Sequence, residues 1–231
     1  MSSIMTNSAA MTALKALQAT NKAIYKTQER ISTGYQVAQA SDNAAYWSIA
    51  TTMKSDNKAL GTVQDALGLG ASKVDVAYTG MESALDVVDE IKSKLVAAKE
   101  PSADKAKIQS EISELQNQLT SIAESASFNG ENWLSVDSSA GTYSATKSVV
   151  ASFSRASDGT VSVSTIDVDI TATELFDAND QSGILDSTFT TTGTGAVTVS
   201  VSSLDITAAG IDDTDLDEMI AAVDTAFSSM T

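Results

Sequence analysis

Residues Ile31–Ala50 read ISTGYQVAQASDNAAYWSIA, and the way this stretch is parsed decides the fold. An Ala- and Gln-rich helical pattern halts at Ser32-Thr33-Gly34, crosses a short loop and resumes through Ser41-Asp42-Asn43 into a second, far longer helical pattern. Ser41-Asp42 supplies N-cap side chains ahead of Ala44-Ala45. An enzyme loop would offer reactive groups here, and this one offers almost none.

Upstream of the loop, Leu14, Leu17, Ile24 and Ile31 form an apolar stripe that Ala10 and Met11 extend. Downstream the run is Ile49, Met53, Leu60, Val63, Leu67, Val74, Tyr78, Met81, Leu85, Val88, Ile91, Leu95 and Ala98. Steps of three, four or seven keep these groups on one seam of a helix that packs on another helix. At about 1.5 Å per residue, one helix from Asp42 to Lys99 would measure roughly 85 Å. Gly61, Gly68, Gly70 and Gly80 lie inside it, each costing up to about 1 kcal/mol against Ala. They imply close helix contacts or pliability, and a break into two helices near Gly68–Gly70 is an open alternative. Pro101 bars further helical hydrogen bonding. A third helix follows Ser102 with Ile108, Ile112, Leu115, Leu119, Ile122 and Ala126 at the same spacing, running back as a helical hairpin.

At Ser127–Leu134 the period changes. Asn129-Gly130 is a strong type I′ hairpin signal, because both central residues need positive φ. Half-exposed strands are expected at Val149–Phe153 and Val161–Ile170 around an Asp158-Gly159 turn, with a second run at Ala196–Val201 leading through Leu204 and Ile206. The tail returns to helix: Leu216, Ile220, Val223, Phe227 and Met230 repeat the seam, and Asp212, Asp213 and Asp215 favour its positive end. No Gly, Pro or basic last turn closes this pattern before Thr231. The fold class is α+β, mainly α: a long antiparallel helical hairpin with a small acidic β-rich module.

Composition removes most chemistry. The 231 residues include no His and no Cys, hence no usual neutral-pH base, thiol nucleophile or common zinc ligand. With 14 Lys+Arg against 30 Asp+Glu the formal charge is −16, which repels phosphate backbones and anionic lipid headgroups. Neither nucleic acid nor membrane is an expected partner. The N-terminus lacks a basic region followed by an unbroken apolar run, so export would proceed without a cleaved Sec-type signal peptide.

The remaining features favour structural roles. Tyr46-Trp47 at the start of a long helix suits a helix or subunit contact better than ligand stacking. The Asp177–Ser182 segment fails as a calcium loop, with Ser182 where Gly is needed and Thr188 where Glu is needed. Asp212–Glu218 reads as a helix N-terminal bias. Gly68-Leu-Gly70 lacks the strand-turn-helix setting of a dinucleotide loop. No catalytic residue, cofactor site or metal site is assigned, and the protein is not expected to be an enzyme.

Residues 1–134 resemble the N-terminal half of a bacterial flagellin. The resemblance is carried by Thr33-Gly34, Ala40–Ala45, Ile49-Ala50-Thr51-Thr52-Met53, Asp65-Ala66, Ile108-Gln-Ser-Glu111-Ile112 and Ser127-Phe-Asn-Gly130. Ala45–Ala50 and Ser182–Asp186 further resemble flagellins of rhizobia and related alphaproteobacteria. It implies a structural subunit of the flagellar filament, exported through the flagellar channel, added at the distal tip and working outside the cell in swimming motility. Implied partners are other flagellin copies, related isoforms among them, an export chaperone and the filament cap. Residues 1–30 would match an inner helix, 31–134 the helical shell with its terminal β-hairpin, 135–210 a variable outer module and 211–231 the start of a returning helix. N- and C-terminal helices come together in this family, and the C-terminal inner helix has no counterpart up to Thr231.

Residues expected to carry helix packing and self-assembly are Leu14, Leu17, Ile24, Ile31, Asn43, Tyr46, Trp47, Ile49, Met53, Leu60, Leu67, Leu85, Ile91, Leu95, Ile112, Leu119, Leu216, Ile220, Val223 and Phe227. A lone helix cannot bury such a stripe, so the terminal segment should order only when neighbours cover it. Enteric flagellins carry arginines on the hairpin helix that a host innate immune receptor grips. Ile91 and Ser93 stand in those places, although Glu111 is retained, and the resemblance then implies weak activation of that receptor. A filament-junction protein with the same helical ends is the related alternative. A secreted carbohydrate-binding or hydrolytic module built on the β region is the alternative from another class.

Overall fold

The computed structural model describes residues 7–231. Met1 to Thr6, where the expected inner segment begins, lie outside the described residues. Four helices carry most of the chain: α1 (Ser8–Thr33), α2 (Ala44–Ala98), α3 (Lys105–Ser125) and α4 (Asp213–Met230). The contacts divide into two compact units, Met1–Gly61 and Thr62–Thr231.

In the first unit, Asn7 caps α1 by accepting from the backbone N–H groups of Ala9 and Ala10. Gly34 ends α1 in the left-handed conformation, φ 70°, and its N–H bonds to the Arg30 carbonyl at 2.9 Å. Only a residue without Cβ takes that φ at no steric cost, which is why the helix stops there. After the loop, Asn43 Oδ1 accepts from the Tyr46 N–H at 3.2 Å and starts α2. The cap is therefore Asn43, one residue beyond the expected Ser41-Asp42.

α2 is continuous through all four glycines, so the alternative break near Gly68–Gly70 does not occur. At Gly80 a Cβ would lie 2.7 Å from Leu134 Cδ1 and 2.9 Å from Ala126 Cβ, and at Gly70 it would run into Val149. These two glycines permit close packing. Gly61 and Gly68 face open space.

In the second unit, α2, α3 and α4 close a shared core. Ala84, Val88, Ile91, Leu95 and Ala98 of α2 meet Ile112, Leu115 and Leu119 of α3 and Leu216, Met219 and Val223 of α4. Ion pairs set the register. Lys94 meets Glu111 at 2.7 Å while Gly80 lies against Ala126, so α3 runs back along α2. Lys92 pairs with Asp224 and Lys99 with Asp217, seven residues on in one helix and seven back in the other, so α4 is also antiparallel to α2.

Short strands follow α3: β1 (Ser127–Phe128), β2 (Glu131–Asn132), β3 (Ser135–Val136), β4 (Thr146–Arg155), β5 (Val161–Asp169), β6 (Phe176–Asp177), β7 (Phe189–Thr190) and β8 (Thr198–Val199). β1 and β2 join through Asn129 at φ 52° and Gly130 at φ 79°, as the Asn-Gly step predicts. β4 and β5 form an antiparallel ribbon with a bulge between Val150 and Ser152. β3 pairs with β6 in parallel, and β7 with β8 antiparallel.

The second expected strand run needs correction. Only Thr198–Val199 is strand, and Val201–Ser203 is a 3₁₀ turn. Ser200 and Ser203 cap each other's backbone there, which competes with strand pairing. Val201, Leu204 and Ile206 then turn into the helical core instead of alternating along a sheet.

Candidate assembly faces

Burial divides the expected packing residues at one point in the chain. No residue of α1 is buried: Leu14, Leu17 (60 % exposed), Ile24 and Ile31 (78 %) line a face open to solvent. Tyr46, Trp47, Ile49, Met53, Leu60 and Leu67 are exposed as well. Beyond Gly80 the same spacing is closed. Ile91, Leu95, Ile112, Leu119, Leu216 and Val223 are fully buried, and Leu85, Ile220 and Phe227 pack against them. One sequence period thus yields a satisfied seam beyond Gly80 and an unsatisfied one up to Tyr78.

The loop between α1 and α2 is held by charge. The Asp42 carboxylate accepts from Lys26 Nζ at 2.7 Å and from the Ala38 N–H at 3.2 Å. The Lys26 contact holds the Asp42 carboxyl below the usual carboxylate range. Lys54 sits 4.4 Å above the Tyr35 ring, a cation–π contact between α2 and the loop. Asn43, expected among the assembly residues, serves here as the α2 cap.

The receptor-segment positions separate too. Ile91 is fully buried in the three-helix core, whereas Ser93 is exposed. Lys94 is bound to Glu111, which raises the Lys94 pKa.

Carboxylates elsewhere do structural work. Asp212 accepts from the N–H groups of Thr214, Asp215 and Thr194, so it caps α4 and ties down the loop before β8. The buried Asp215 takes the N–H of Gly193 at 2.9 Å. Bonds from Thr194 and from α4 hold Asp212 well below the usual range. Asp177 is buried, which opposes ionisation, yet the N–H groups of Ser138 and Asn179 keep its pKa low. Its neighbour Glu174 is pushed up by burial and by the Asp177 charge. Among the described residues no three His, Cys, Asp or Glu side chains gather to hold a metal ion. No described helix is long and apolar enough to cross a membrane.

Two glutamines were not foreseen. Gln109 Nε2 donates to the Leu204 carbonyl at 2.9 Å while its Oε1 accepts from the Ile206 N–H at 2.9 Å. Gln116 Nε2 donates to the Val201 carbonyl at 3.1 Å. Seven residues apart on α3, they line one helix face beside the apolar seam, and that spacing was the available signal.

Helices with coiled-coil spacing, closed against each other beyond Gly80 and open before it, define the class: α-helical proteins with apolar faces suited to packing on further helices. The chain belongs to the flagellin family, since the bacterial flagellin N-terminal helical region is matched over residues 4–139. It is 60% identical over 190 residues to flagellin A of Rhizobium meliloti (strain 1021), which covers 82% of this chain and 48% of that relative. It is 59% identical over 180 residues to flagellin C of the same strain, covering 78% of this chain and 56% of the relative. With the flagellin of Brucella melitensis biotype 1 (strain ATCC 23456 / CCUG 17765 / NCTC 10094 / 16M) the identity is 49% over 175 residues, 75% of this chain and 60% of that protein. The chain spans about half the length of the Rhizobium meliloti flagellin A it matches.

Proposed function

We propose that the protein is a structural, non-catalytic subunit of the bacterial flagellar filament, exported and assembled outside the cell into a helical tube used for swimming. The observation that carries this is the open seam: apolar residues from Leu14 to Leu67 repeat at coiled-coil spacing and, Val63 apart, remain exposed, while the same pattern beyond Gly80 is buried or packed against the buried core. Further copies of the chain are the partners of fitting chemistry, because their own open seams have the same spacing. Flagellin isoforms fit for the same reason, and an export chaperone or filament cap would take the same helical faces. Residues 1–30 act as the inner helix, 31–134 as the shell, 135–210 as the outer module and 211–231 as the start of the returning helix. With Ile91 buried and Ser93 uncharged, the receptor that grips enteric flagellins gains no arginine here, and weak activation follows.

Sedimentation with negative-stain microscopy tests the reading. Concentration-dependent tubes about the width of a flagellum are expected. A compact monomer at all concentrations, with affinity for saccharides, overturns it.

A further inference from the structure

The chain holds 7 methionines and no cysteine. With no thiolate to compete, thioethers are its groups most open to attack by a peroxide. Burial sorts the described ones into two sets. Met219 is fully buried in the three-helix core, Met230 is buried beside it, and Met81 packs against the same core. Met11 on α1 is 52% exposed and Met53 on α2 is 65% exposed. Met1 and Met5 lie outside the described residues.

The two exposed methionines stand where the chain leaves an apolar face uncovered. Met11 lies one turn before Leu14, and Met53 lies between Ile49 and Leu60 on one face of α2; all three of these neighbours are exposed as well. A thioether suits such a contact, because its flexible, polarizable chain fills irregular gaps between helices. A sulfoxide does not. It is polar and chiral, and burying its oxygen among leucines and isoleucines leaves an acceptor without a donor.

We propose that Met11 and Met53 form a redox-sensitive modification site on the open seam, with a peroxide as the oxidant. This rests on the assembly reading above and adds the chemistry by which assembly can be blocked and released. The sulfur lone pair attacks one peroxide oxygen and the O–O bond breaks. That oxygen stays on sulfur, the other leaves as water after proton transfer, and sulfur gives up the two electrons that the peroxide gains. In the free chain both thioethers are open to this step. Once a second copy covers the seam they are shielded, and once oxidised they hinder its closure.

The protein is treated with dilute hydrogen peroxide and oxygen uptake is located residue by residue by fragmentation mass spectrometry. Met11 and Met53 should be oxidised about tenfold faster than Met81, Met219 and Met230 in the free chain. In the polymer they should slow to the rate of Met219. Equal rates in the free chain, or no protection in the polymer, would overturn the proposal. The critical concentration, measured by sedimentation, should rise about tenfold after oxidation and return after reductases for both sulfoxide epimers have acted. In the Met11→Leu/Met53→Leu double variant, which keeps the apolar volume, the ratio of critical concentrations after and before peroxide should fall to about one. A double variant that still responds tenfold places the effect at another residue and refutes the assignment. Tubes from untreated protein that form equally well after peroxide refute the oxidation site alone. No tubes from untreated protein refute the filament reading, and the proposal with it.

Discussion

Leu17 and Leu95 occupy equivalent places in the same apolar period, yet one is 60% exposed and the other fully buried. Truncating each to alanine removes the same atoms and should produce opposite phenotypes. For Leu95→Ala the lost groups sit among α2, α3 and α4, where a Leu-to-Ala change costs about 2–5 kcal/mol including the cavity. The urea midpoint of the isolated protein, followed by circular dichroism, should fall accordingly. Leu17→Ala should leave that midpoint nearly unchanged, because most of the side chain already faces water. Its cost appears on assembly. Fully burying a leucine contributes about 1.5–3 kcal/mol, and the exposed 60% corresponds to about 1–2 kcal/mol per subunit. The critical concentration for polymerisation, measured by sedimentation, should rise about 5- to 30-fold. If Leu17→Ala lowers the urea midpoint as much as Leu95→Ala, or leaves the critical concentration where it was, the open seam is not an assembly face.

Amide exchange should show weak protection of residues 10–30 in the monomer and strong protection in the polymer; strong protection in the monomer contradicts an end that orders on assembly. Gly68→Ala should raise the melting temperature through up to about 1 kcal/mol of helix propensity, whereas Gly80→Ala should lower it, since its Cβ meets Leu134 and Ala126. Gln116→Ala leaves the Val201 carbonyl without its donor and should cost about 1–3 kcal/mol by thermal denaturation. In acid, opposite shifts compete. Asp177 and Asp212 have depressed folded-state pKa values, so the stability they give holds above the ordinary carboxylate pKa and is lost as pH falls below about 4. Glu174 is raised, so its contribution is present in acid and lost as pH rises. Glu174→Gln should therefore raise the melting temperature at neutral pH and do nothing in strong acid; an equal effect at both would contradict the burial of a charged group.

The helices were legible because their period is local: Leu14–Ile31 and Ile49–Ala98 declare helix whether or not anything covers them. Asn129-Gly130 was legible for the same reason, since its backbone demand is met by two residues alone. Which half of the long seam closes within the chain was not legible. It depends on α3 and α4 returning alongside residues beyond Gly80, and the period of α2 is identical on both sides of that point. Ala196–Ile206 misled because Thr/Val alternation suits a sheet, but Ser200 and Ser203 satisfied each other's backbone first.

Gln109 and Gln116 grip the segment at Val201–Ile206 through its peptide groups and not through its side chains. Peptide groups are the same in every sequence. That joint would hold whatever side chains the segment carries, so the stretch between α3 and α4 can change its appearance without loosening its attachment to the helices beneath.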